Sequence, residues 1–523
     1  MFHVKRFPWE ALYPPGVRWD AALPAGTLPG LLDEAVGLHR ERVAIRFRSI
    51  GITYRELGER VGRAAAALAR AGVGAGSTVA LLLPNTPWHP VAFFAVLRLG
   101  ARVVHLSPLE PVRAHARKVA DSGAGWVVTT DLAPVLEASR GLGVPVLVGS
   151  DAAWEGGAGG ELAAAGEVGA VAIDAGAVAL LQYTGGTTGV PRAAMLTHRN
   201  LTSAVSIYRA WQAGSVREVR PGDLVLGVLP LFHIYALTAV MLRCFACGGT
   251  LLLRERFEVG RTLADIGAGC AHVAGVPTMW IAIAHAPGVE RVDFSALRAA
   301  SSGGAALPHE VGERLARFTG VWIGGGWGMT ETGPAGTNLV PGRAAAPGEI
   351  GVPLPGIEMG VVAAEDAGRV LGPGEVGELR VRGPNVMAGY WRRPEETRAA
   401  LVDGWLLTGD LGRMTEDGRF VLVDRKKDMI ISGGFNVYPR VIEEAIHEHP
   451  DVMEAAVVGV ADAYRGEAAR AYVVLRAGAG MTLEGLRGFL GERLGRHELP
   501  ASLVVRESLP RTAVGKLAKR ELR

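Results

Sequence analysis

The chain has 523 residues, which is too long for a single hydrophobic core, so several domains are expected. Hydrophobic residues make up 49% of the chain and charged residues 20%, a composition that excludes an intrinsically disordered protein. The net charge of +3 is small for this length, and no cluster of lysines and arginines stands out, so nucleic acid is not expected as a partner.

Two stretches bear on secretion and membrane insertion. Residues 1–16 contain early prolines and a glutamate and have no long apolar core, so they are not expected to be a secretory signal. The longest charge-free apolar run, Leu224 to Leu242, is long enough to span a membrane, but Pro230, His233 and Tyr235 interrupt it. We therefore expect a strand, a turn and a buried helix there. Peripheral contact with a membrane surface stays open.

The cysteines show no recognisable metal or disulfide pattern. Cys244 and Cys247 have the spacing of a redox motif, but no second pair of ligands accompanies them. We expect Cys244, Cys247 and Cys270 to be small buried hydrophobes in a protein of the reducing cytoplasm.

The N-terminal part alternates between helix and strand patterns. Apolar residues at helical spacing mark residues 27–39 and 53–72. The further predicted elements are strands at Val43–Phe47, Thr78–Leu83, Ala101–Leu106 and Gly125–Thr129, and helices at Trp88–Leu99 and Arg113–Asp121. This alternation predicts a parallel sheet with helices on its faces. Residues 150–170, rich in Gly, Ala and Glu, are typical of a surface connection.

A string of glycines and threonines follows a short apolar strand at Ala177–Leu181. Residues 182–198 read QYTGGTTGVPRAAMLTH, and the small residues of the string are Thr184, Gly185, Gly186, Thr187, Thr188 and Gly189. Glycines allow close approach of the backbone to a ligand, and successive N–H groups with threonine hydroxyls form an anion site. The string lacks the Gly-Lys-Ser/Thr of a Walker A loop. It is a candidate phosphate cradle, the alternative being a flexible surface turn.

This string resembles the phosphate-binding loop of AMP-forming acyl-CoA synthetases, the adenylate-forming superfamily that includes firefly luciferase. It is most similar to the bacterial long-chain fatty-acid–CoA ligases. The resemblance covers nearly the whole chain, through several separate strings in the family's order. Two positions depart from the pattern, with Arg192 where lysine is common and Ala193 where glycine is common. Since guanidinium and ammonium groups bind oxyanions differently, the first departure affects the contact with phosphate.

Helix and strand patterns continue beyond this string, with a helix at His198–Gln212 and a strand at Thr250–Leu253. Many short β-like pieces then indicate a small antiparallel region, after which helix–strand alternation returns. The predicted fold is α/β. It has a large N-terminal domain of parallel-rich sheets with helices and a small β region, residues 1–425, and a small mobile α+β C-terminal domain, residues 426–523.

Two strings carry candidate residues for the acid and for the base of a nucleotide. His233 lies in LPLFH, at the end of a predicted strand. Without the resemblance, it would be interpreted as a packed histidine. The resemblance instead places it at the border of the acyl pocket, where it positions the substrate. The string SSGGAALP, residues 301–308, is either a tight turn or a flat wall against a purine. The resemblance assigns Gly303, Gly304 and Ala305 to the adenine.

The string GGGWGMTETGP, residues 324–334, also resembles a family motif, and a predicted strand at Gly320–Ile323 precedes it. Trp327 offers an aromatic face to the base. The resemblance adds Gly328 and Met329 to the nucleotide site.

The same string contains the candidate metal ligand. Thr330 offers a hydroxyl to phosphate. Glu331, the only carboxylate of the string, suits Mg²⁺, which prefers few carboxylates together with phosphate oxygens and water. The resemblance assigns both residues to catalysis and adds Thr187 as a second metal ligand.

Charged residues near the predicted domain boundary are candidates for the ribose and for a hinge. The carboxylate of Asp410, in LLTGDLG, can accept two hydrogen bonds from a ribose diol, and Arg425, in VDRKKDMI, could complete that grip. The resemblance supports both assignments and puts a hinge at Lys427. The alternative is a solvated turn.

Two C-terminal strings complete the predicted site. In ISGGFNVYP, the resemblance assigns Gly433, Gly434 and Phe435 to the tunnel for the pantetheine arm of CoA. In PRTAVGKLAKRELR, it assigns Lys516 as the catalytic lysine, whose charge would bridge the carboxylate and the α-phosphate. The alternatives are an ordinary surface loop and a solvated terminal charge.

By resemblance, the protein is an ATP-dependent carboxylic acid–CoA ligase that acts through an acyl-adenylate with Mg²⁺. We expect a medium- or long-chain fatty acid as substrate, with an aryl acid as the alternative. Acyl transfer to a separate carrier protein and non-catalytic binding of an adenine nucleotide are further alternatives, and a homodimer stays open. A negatively charged acid and a triphosphate repel each other, so such a site needs cations and loop donors.

Overall fold

A computed structural model describes most of the chain. The described residues are 7–155, 160–163, 166, 168–169, 171–184, 192–305, 307–343, 345–432, 435–462, 464–511 and 517–522. Helices and strands within these ranges are numbered in chain order.

Helices and strands alternate over most of the chain, whereas strands predominate between residues 337 and 437. The α-helices are α1 (Leu28–His39), α2 (Tyr54–Arg70), α3 (Trp88–Arg98), α4 (Val112–Ser122), α5 (Ala133–Arg140), α6 (His198–Gln212), α7 (Arg243–Ala246), α8 (Val259–Gly267), α9 (Pro277–Ala284), α10 (His309–Thr319), α11 (Pro394–Ala400), α12 (Pro439–His447) and α13 (Leu483–Gly491). Single 3₁₀ turns lie at Pro8–Leu12, Asp151–Glu155, Glu161–Ala163, Val289–Arg291, Thr330–Thr332 and Lys519–Leu522, and Tyr235–Leu242 is a π-helix.

The strands form four sheets in the part of the chain that the structure describes. The first thirteen are β1 (Val43–Phe47), β2 (Ile50–Thr53), β3 (Thr78–Leu81), β4 (Arg102–His105), β5 (Trp126–Thr130), β6 (Val146–Gly149), β7 (Val178–Thr184), β8 (Arg192–Thr197), β9 (Leu224–Gly227), β10 (Thr250–Leu253), β11 (Cys270–Gly275), β12 (Ala299–Ser302) and β13 (Ile323–Gly325). The others are β14 (Thr337–Asn338), β15 (Glu349–Pro353), β16 (Glu358–Ala363), β17 (Asp366–Val370), β18 (Gly377–Arg382), β19 (Leu401–Val402), β20 (Trp405–Met414), β21 (Phe420–Arg425), β22 (Ile430–Ser432), β23 (Phe435–Val437), β24 (Val452–Asp462), β25 (Gly466–Leu475) and β26 (Ser502–Val505).

One sheet has the order β6-β5-β3-β4-β7-β8 and is parallel except for β8. The apolar run before the phosphate-binding string forms β7, as predicted. β7 and β8 pair antiparallel, with Thr184 opposite Arg192. The predicted phosphate loop therefore joins the ends of two paired strands, although residues 185–191 lie outside the described residues.

A second sheet has the order β13-β12-β11-β9-β10-β1-β2 and is parallel except for β2. Because β9, β11, β12 and β13 are parallel, their carboxyl ends meet at one edge, the edge where open α/β sheets bind ligands. The segments that leave this edge carry His233, Gly303–Ala305 and Trp327–Glu331. Parallel-rich sheets in an α/β fold were predicted and are confirmed.

A third sheet, with the order β14-β15-β21-β20-β18-β16-β17 and β19 beside β20, is antiparallel. It corresponds to the predicted antiparallel region. Its β20 and β21 place Asp410 directly opposite Arg425.

The C-terminal sheet has the order β23-β22-β25-β24, with β26 parallel to β25. Its apolar residues form a hydrophobic cluster with Ile442 and Ile446 of α12 and Leu486 and Leu490 of α13. Among the described residues, this cluster is separate from the main core, which ends at Leu422. The domain boundary between residues 425 and 426, and the mobility of the smaller part, stay predictions.

Three local predictions were wrong. The strand expected at Gly320–Ile323 is β13, because Gly320 has a left-handed φ of 66° and ends α10 instead. His233 does not end a strand, since β9 ends at Gly227 and a turn follows. The connection at residues 150–170 is not all surface, because Trp154 and Leu162 are buried in the main core.

The apolar run Leu224–Leu242 consists of β9, a turn and the π-helix, close to the expected strand, turn and helix. No helix within the described ranges is long and apolar enough to cross a bilayer. Cys244 and Cys270 are buried, as predicted, whereas Cys247 is only partly buried.

Candidate active site

A cleft of about 2430 Å³ lies between the edge of the second sheet, the β20–β21 pair and the C-terminal region. The predicted site residues on its wall are Thr184, Arg192, His233, Gly304, Ala305, Trp327, Gly328, Met329, Thr330, Glu331, Asp410, Arg425 and Lys427. The structure therefore brings residues from distant parts of the sequence to one site.

Other predicted residues are not placed on this wall. Gly185, Gly186, Thr187, Thr188, Gly189, Gly433, Gly434 and Lys516 lie outside the described residues. Gly303 is described, and an added Cβ there would lie 2.9 Å from the Tyr235 ring. Phe435 is 59% exposed and its ring lies 4.9 Å from that of His497, away from the cleft. The roles of all these residues stay predictions.

The chain on either side of the segment that contains Lys516 is well defined. Arg511 and Leu517 pair as an isolated β-bridge, and the N–H of Ala518 donates to the carbonyl of Pro510 at 2.8 Å. Leu517 and Ala518 line the cleft. The chain that follows Lys516 therefore lies on the cleft wall.

Glu331 lies in the 3₁₀ turn Thr330–Thr332 and is 5% exposed. Burial raises the pKa of its carboxyl group, and the opposing influences that lower the pKa include the hydrogen bond from Tyr390 and the charges of Arg192 and Arg425. The Tyr390 hydroxyl donates to Oε1 at 2.8 Å. Glu331 is thus a buried carboxylate with one fixed donor.

Arg192, the residue that stands where the family commonly has lysine, is held by an aromatic ring. Its guanidinium lies over the Tyr390 ring, 4.7 Å from the centroid, and its Nη1 donates to Glu396 Oε2 at 3.2 Å. Stacking of this kind suits a planar guanidinium better than an ammonium. Tyr390 therefore contacts both Arg192 and Glu331 and fixes their separation.

Asp410 is 4% exposed and is bound at both carboxylate oxygens. The indole N–H of Trp327 donates to Oδ2 at 2.7 Å, and Arg425 Nε lies 3.2 Å from Oδ1. A carboxylate has about four acceptor positions, so two remain for a ribose diol. The sequence pattern indicated only that the Trp327 ring could lie against the base of the nucleotide. It did not indicate the hydrogen bond from the indole N–H to Asp410.

Two glycines allow the loop after β13 to double back closely on itself. A Cβ on Gly326 would overlap the carbonyl of Thr337, and one on Gly328 would overlap the carbonyl of Pro334. Backbone atoms on both sides leave no room to adjust. The absence of side chains at these positions shapes the loop that carries Trp327 and Glu331.

The segment that carries His233 is tied to the strand before the phosphate-binding string. Gln182 donates from Nε2 to the Phe232 carbonyl at 3.0 Å and accepts at Oε1 from Nδ1 of His105, also at 3.0 Å. Burial lowers the pKa of His105 to about 4, so its ring is neutral near neutrality. Asn85 donates to the Leu229 carbonyl at 2.9 Å. These hydrogen bonds hold the backbone just before His233, at Leu229 and Phe232, and thereby position His233.

The C-terminal wall of the cleft carries further charges. Lys519 Nζ lies 2.7 Å from Glu443 Oε1. Burial lowers the pKa of Lys427, and the nearby charge of Arg425 adds to this effect. Asp424 accepts at Oδ2 from the backbone N–H of Arg440 at 2.9 Å. This last bond links β21 to α12 across the predicted boundary.

The residues present suit a magnesium ion carried by a nucleotide better than a resident ion. Among the described residues, no group of three His, Cys, Asp or Glu side chains could hold a metal. Glu331 is instead a lone buried carboxylate on the cleft wall. Mg²⁺ is commonly bound by one or two carboxylates together with phosphate oxygens and water, so Glu331 fits this role.

Sequence reasoning missed Tyr390 and Gln182. Tyr390 lies in the string AGYWRRPEET, where an aromatic pair followed by two arginines was a usable signal of a packed ionic site. Gln182 begins the glycine–threonine string, but its partners Phe232 and His105 are distant in sequence, so no local signal could have found them.

Comparisons with known proteins agree with this geometry. A family model described as AMP-binding enzyme matches residues 32–391, and one described as AMP-binding enzyme C-terminal domain matches residues 441–516. The chain is similar to a long-chain-fatty-acid–CoA ligase of Bacillus subtilis, at 35% identity over 98% of this chain and 97% of the relative. It is also similar to a feruloyl-CoA synthase of an Amycolatopsis species, at 38% identity over 92% of this chain and 95% of the relative.

A solved structure of a coenzyme A synthetase is also similar to this chain. The O-succinylbenzoate coenzyme A synthetase of Bacillus subtilis, in complex with ATP and magnesium ion, superposes with a TM-score of 0.83 at 31% identity, covering 94% of this chain and 98% of that one. The chain belongs to the AMP-binding enzyme family. It is an AMP-forming acid–thiol ligase, and the resemblance to acyl-CoA synthetases is confirmed.

Proposed function

We propose that the protein couples a carboxylic acid to CoA in two half-reactions that share the cleft, with ATP as co-substrate and Mg²⁺ as cofactor. The observation that carries the proposal is that Glu331 and Asp410 line the same cleft, each held by a fixed donor. Asp410 binds the ribose beside Trp327, while Glu331 faces the phosphates. Mg²⁺, when bound there, neutralises phosphate charge.

In the first half-reaction, an oxygen of the acid attacks the α-phosphorus of ATP, and the bond to the departing pyrophosphate breaks. In the second, the CoA sulfur attacks the carbonyl carbon of the acyl-adenylate, and the bond to the phosphate oxygen breaks, releasing AMP. Lys516 and the donors of the glycine–threonine loop offset the negative charge that gathers in the first step. A pivot at Lys427 then brings residues 433–435 to the CoA arm.

Aromatic and polar side chains directly behind the cleft wall, next to Ser302 and Gly304, support the aryl alternative over the fatty acid. The Tyr235 ring packs against Gly303, and its hydroxyl lies 2.9 Å from Ser301 Oγ. Trp280 donates its indole N–H to the Ser301 carbonyl at 3.1 Å. Flat rings and polar groups suit a compact aromatic acid better than a long alkyl chain. The relatives include both kinds of ligase, so the fatty-acid prediction stays untested.

The test is exchange of labelled pyrophosphate into ATP across a panel of aryl and fatty acids, followed by AMP release on addition of CoA. Lys516→Ala should slow exchange by about a hundredfold or more, as loss of one electrostatic donor does elsewhere. Arg465→Ala removes an exposed cation from the same C-terminal region and should leave exchange unchanged. An absence of exchange with every acid would contradict the proposal.

A further inference from the structure

A partly buried arginine at the edge of the cleft has no anionic partner in the part of the chain that the structure describes. Arg217 lies between α6 and β9, and it lines both the main cleft and a small adjoining cavity of about 50 Å³. Its Nη1 is 3.4 Å from the position that a Cβ on Gly324 would occupy. Among the described residues, none accepts a hydrogen bond from its guanidinium or forms an ion pair with it.

The surrounding charges do not compensate for it. Asp223 is a carboxylate of the same segment. It already forms an ion pair with Arg298, and its Oδ2 lies 3.3 Å from His272 Nε2. Arg243 also lines the small cavity and donates to the amide oxygen of Gln212 at 2.7 Å, with no ion pair among the described residues. The wall of the small cavity is therefore net positive.

Some other partly buried arginines of this protein are paired with a carboxylate. Arg254, for example, donates from Nε to Asp265 Oδ2 at 2.8 Å and from Nη2 to Oδ1 at 2.5 Å. An unpaired guanidinium on a cleft wall suits an anionic ligand, which would complete its hydrogen bonding. Burial also lowers the pKa of Arg217, with no neighbouring charge acting against that effect.

The position of Arg217 identifies the part of the substrate that it meets. The small cavity is lined by Ser301, Gly324 and Gly325, so it adjoins β12 and β13. Ser301 contacts Tyr235, which packs against Gly303. If the reacting carboxylate lies towards the nucleotide, as proposed, Arg217 faces the other end of the acid. An unbranched alkyl tail there would leave the charge unpaired.

We propose that the acid activated by this enzyme carries a second carboxylate, which Arg217 binds while the first one reacts. The inference rests on the proposed function and narrows its substrate class to dicarboxylic acids of compact shape. A planar guanidinium forms two parallel hydrogen bonds with a carboxylate, which gives orientation as well as affinity. Arg217 is thus a specificity-determining residue, and its contact is with the substrate rather than with the reacting atoms.

The experiment compares matched acids in pyrophosphate exchange: benzene-1,4-dicarboxylate with 4-methylbenzoate, 4-carboxycinnamate with cinnamate, and adipate with hexanoate. The wild-type enzyme should prefer at least one dicarboxylate over its partner about tenfold or more in kcat/KM, as expected for a charged hydrogen bond. Arg217→Met should abolish that preference and raise activity with the monoacid, and Arg217→Lys should restore part of it. Arg220→Met, an exposed charge in the same segment, is the control and should match the wild type.

The outcomes separate the two proposals. Exchange with monoacids and no preference for any dicarboxylate overturns this inference and leaves the proposed function intact. The same holds if Arg217→Met keeps the full preference. No exchange with any acid overturns the proposed function and this inference together. Thermal unfolding and ATP binding of each variant show that a lost preference does not reflect a misfolded protein.

Discussion

Tyr390 is the residue on which the ionic part of the cleft depends. Its hydroxyl donates to Glu331, and its ring carries the guanidinium of Arg192. Burial raises the pKa of Glu331, and a backbone hydrogen bond, the Tyr390 hydroxyl and the nearby positive charges act against that rise. The arginine that departs from the family pattern is therefore matched to an aromatic ring in the same protein.

Tyr390→Phe should move the acid limb of the pH profile to higher pH. Removal of the donor raises the already elevated pKa of Glu331, so the ionised fraction at a given pH falls. The shift should be about one to two pH units, since a hydrogen bond to a charged group is worth about 1.5–3 kcal/mol and one unit corresponds to about 1.4 kcal/mol. The measurement is kcat/KM for pyrophosphate exchange against pH at saturating Mg²⁺.

The control for this prediction is Tyr54→Phe. Tyr54 is also buried and donates to the Gly249 carbonyl at 2.7 Å, but it does not line the cleft. Its variant should keep the wild-type profile. An unshifted acid limb in Tyr390→Phe would show that the hydroxyl does not govern the ionisation of Glu331.

At the scale of elements, the loop between β13 and β14 depends on glycines as much as on its polar residues. Gly328→Ala should lower the thermal midpoint and weaken ATP binding about tenfold or more, because the new Cβ overlaps the Pro334 carbonyl and the backbone must move. Calorimetry and nucleotide titration are the measurements.

Gly62→Ala is the matched control for that substitution. Gly62 lies inside α2 with no atom within 4 Å of an added Cβ, so alanine there should be neutral or stabilising by about 0.5–1 kcal/mol. Wild-type stability and ATP affinity in Gly328→Ala would mean that the loop is not built as described.

Elements with local signals were predictable from the sequence. Val43–Phe47, Thr250–Leu253 and His198–Gln212 have the bounds that apolar periodicity predicted. The wrong bounds at Gly320–Ile323 arose because a glycine in the left-handed region reads equally well as the start of a strand. The order of strands in the sheets, and with it the contact of Tyr390 with Glu331, depends on tertiary pairing that no single segment encodes.

For the whole molecule, the predicted pivot gives a separate test of the two half-reactions. Lys427→Pro should spare pyrophosphate exchange and slow thioester formation about tenfold or more, because proline fixes φ and restricts the preceding residue. Both rates are measured on the same preparation, by label exchange and by CoA consumption.

Lys427→Ala keeps backbone freedom while it removes the charge, and both half-reactions should stay within a few-fold of the wild type. Equal losses in the two half-reactions of Lys427→Pro would argue against a pivot at this position. The predicted boundary between residues 425 and 426 would then need to be moved.

The pairing of Asp410 with Arg425 has a consequence for control of the catalytic cycle. These residues face each other across β20 and β21, and Arg425 is the last residue of its strand before the proposed pivot. If a sugar ring docks on this pair, the energy of docking depends on how the smaller lobe is turned. Coupling of this kind is reciprocal. If ATP and AMP dock with affinities that depend on the orientation of the smaller lobe, exchanging ATP for AMP changes the ratio between the lobe orientations by the same factor as it changes those affinities. The bound nucleotide would itself control when the smaller lobe turns, without a separate regulatory site.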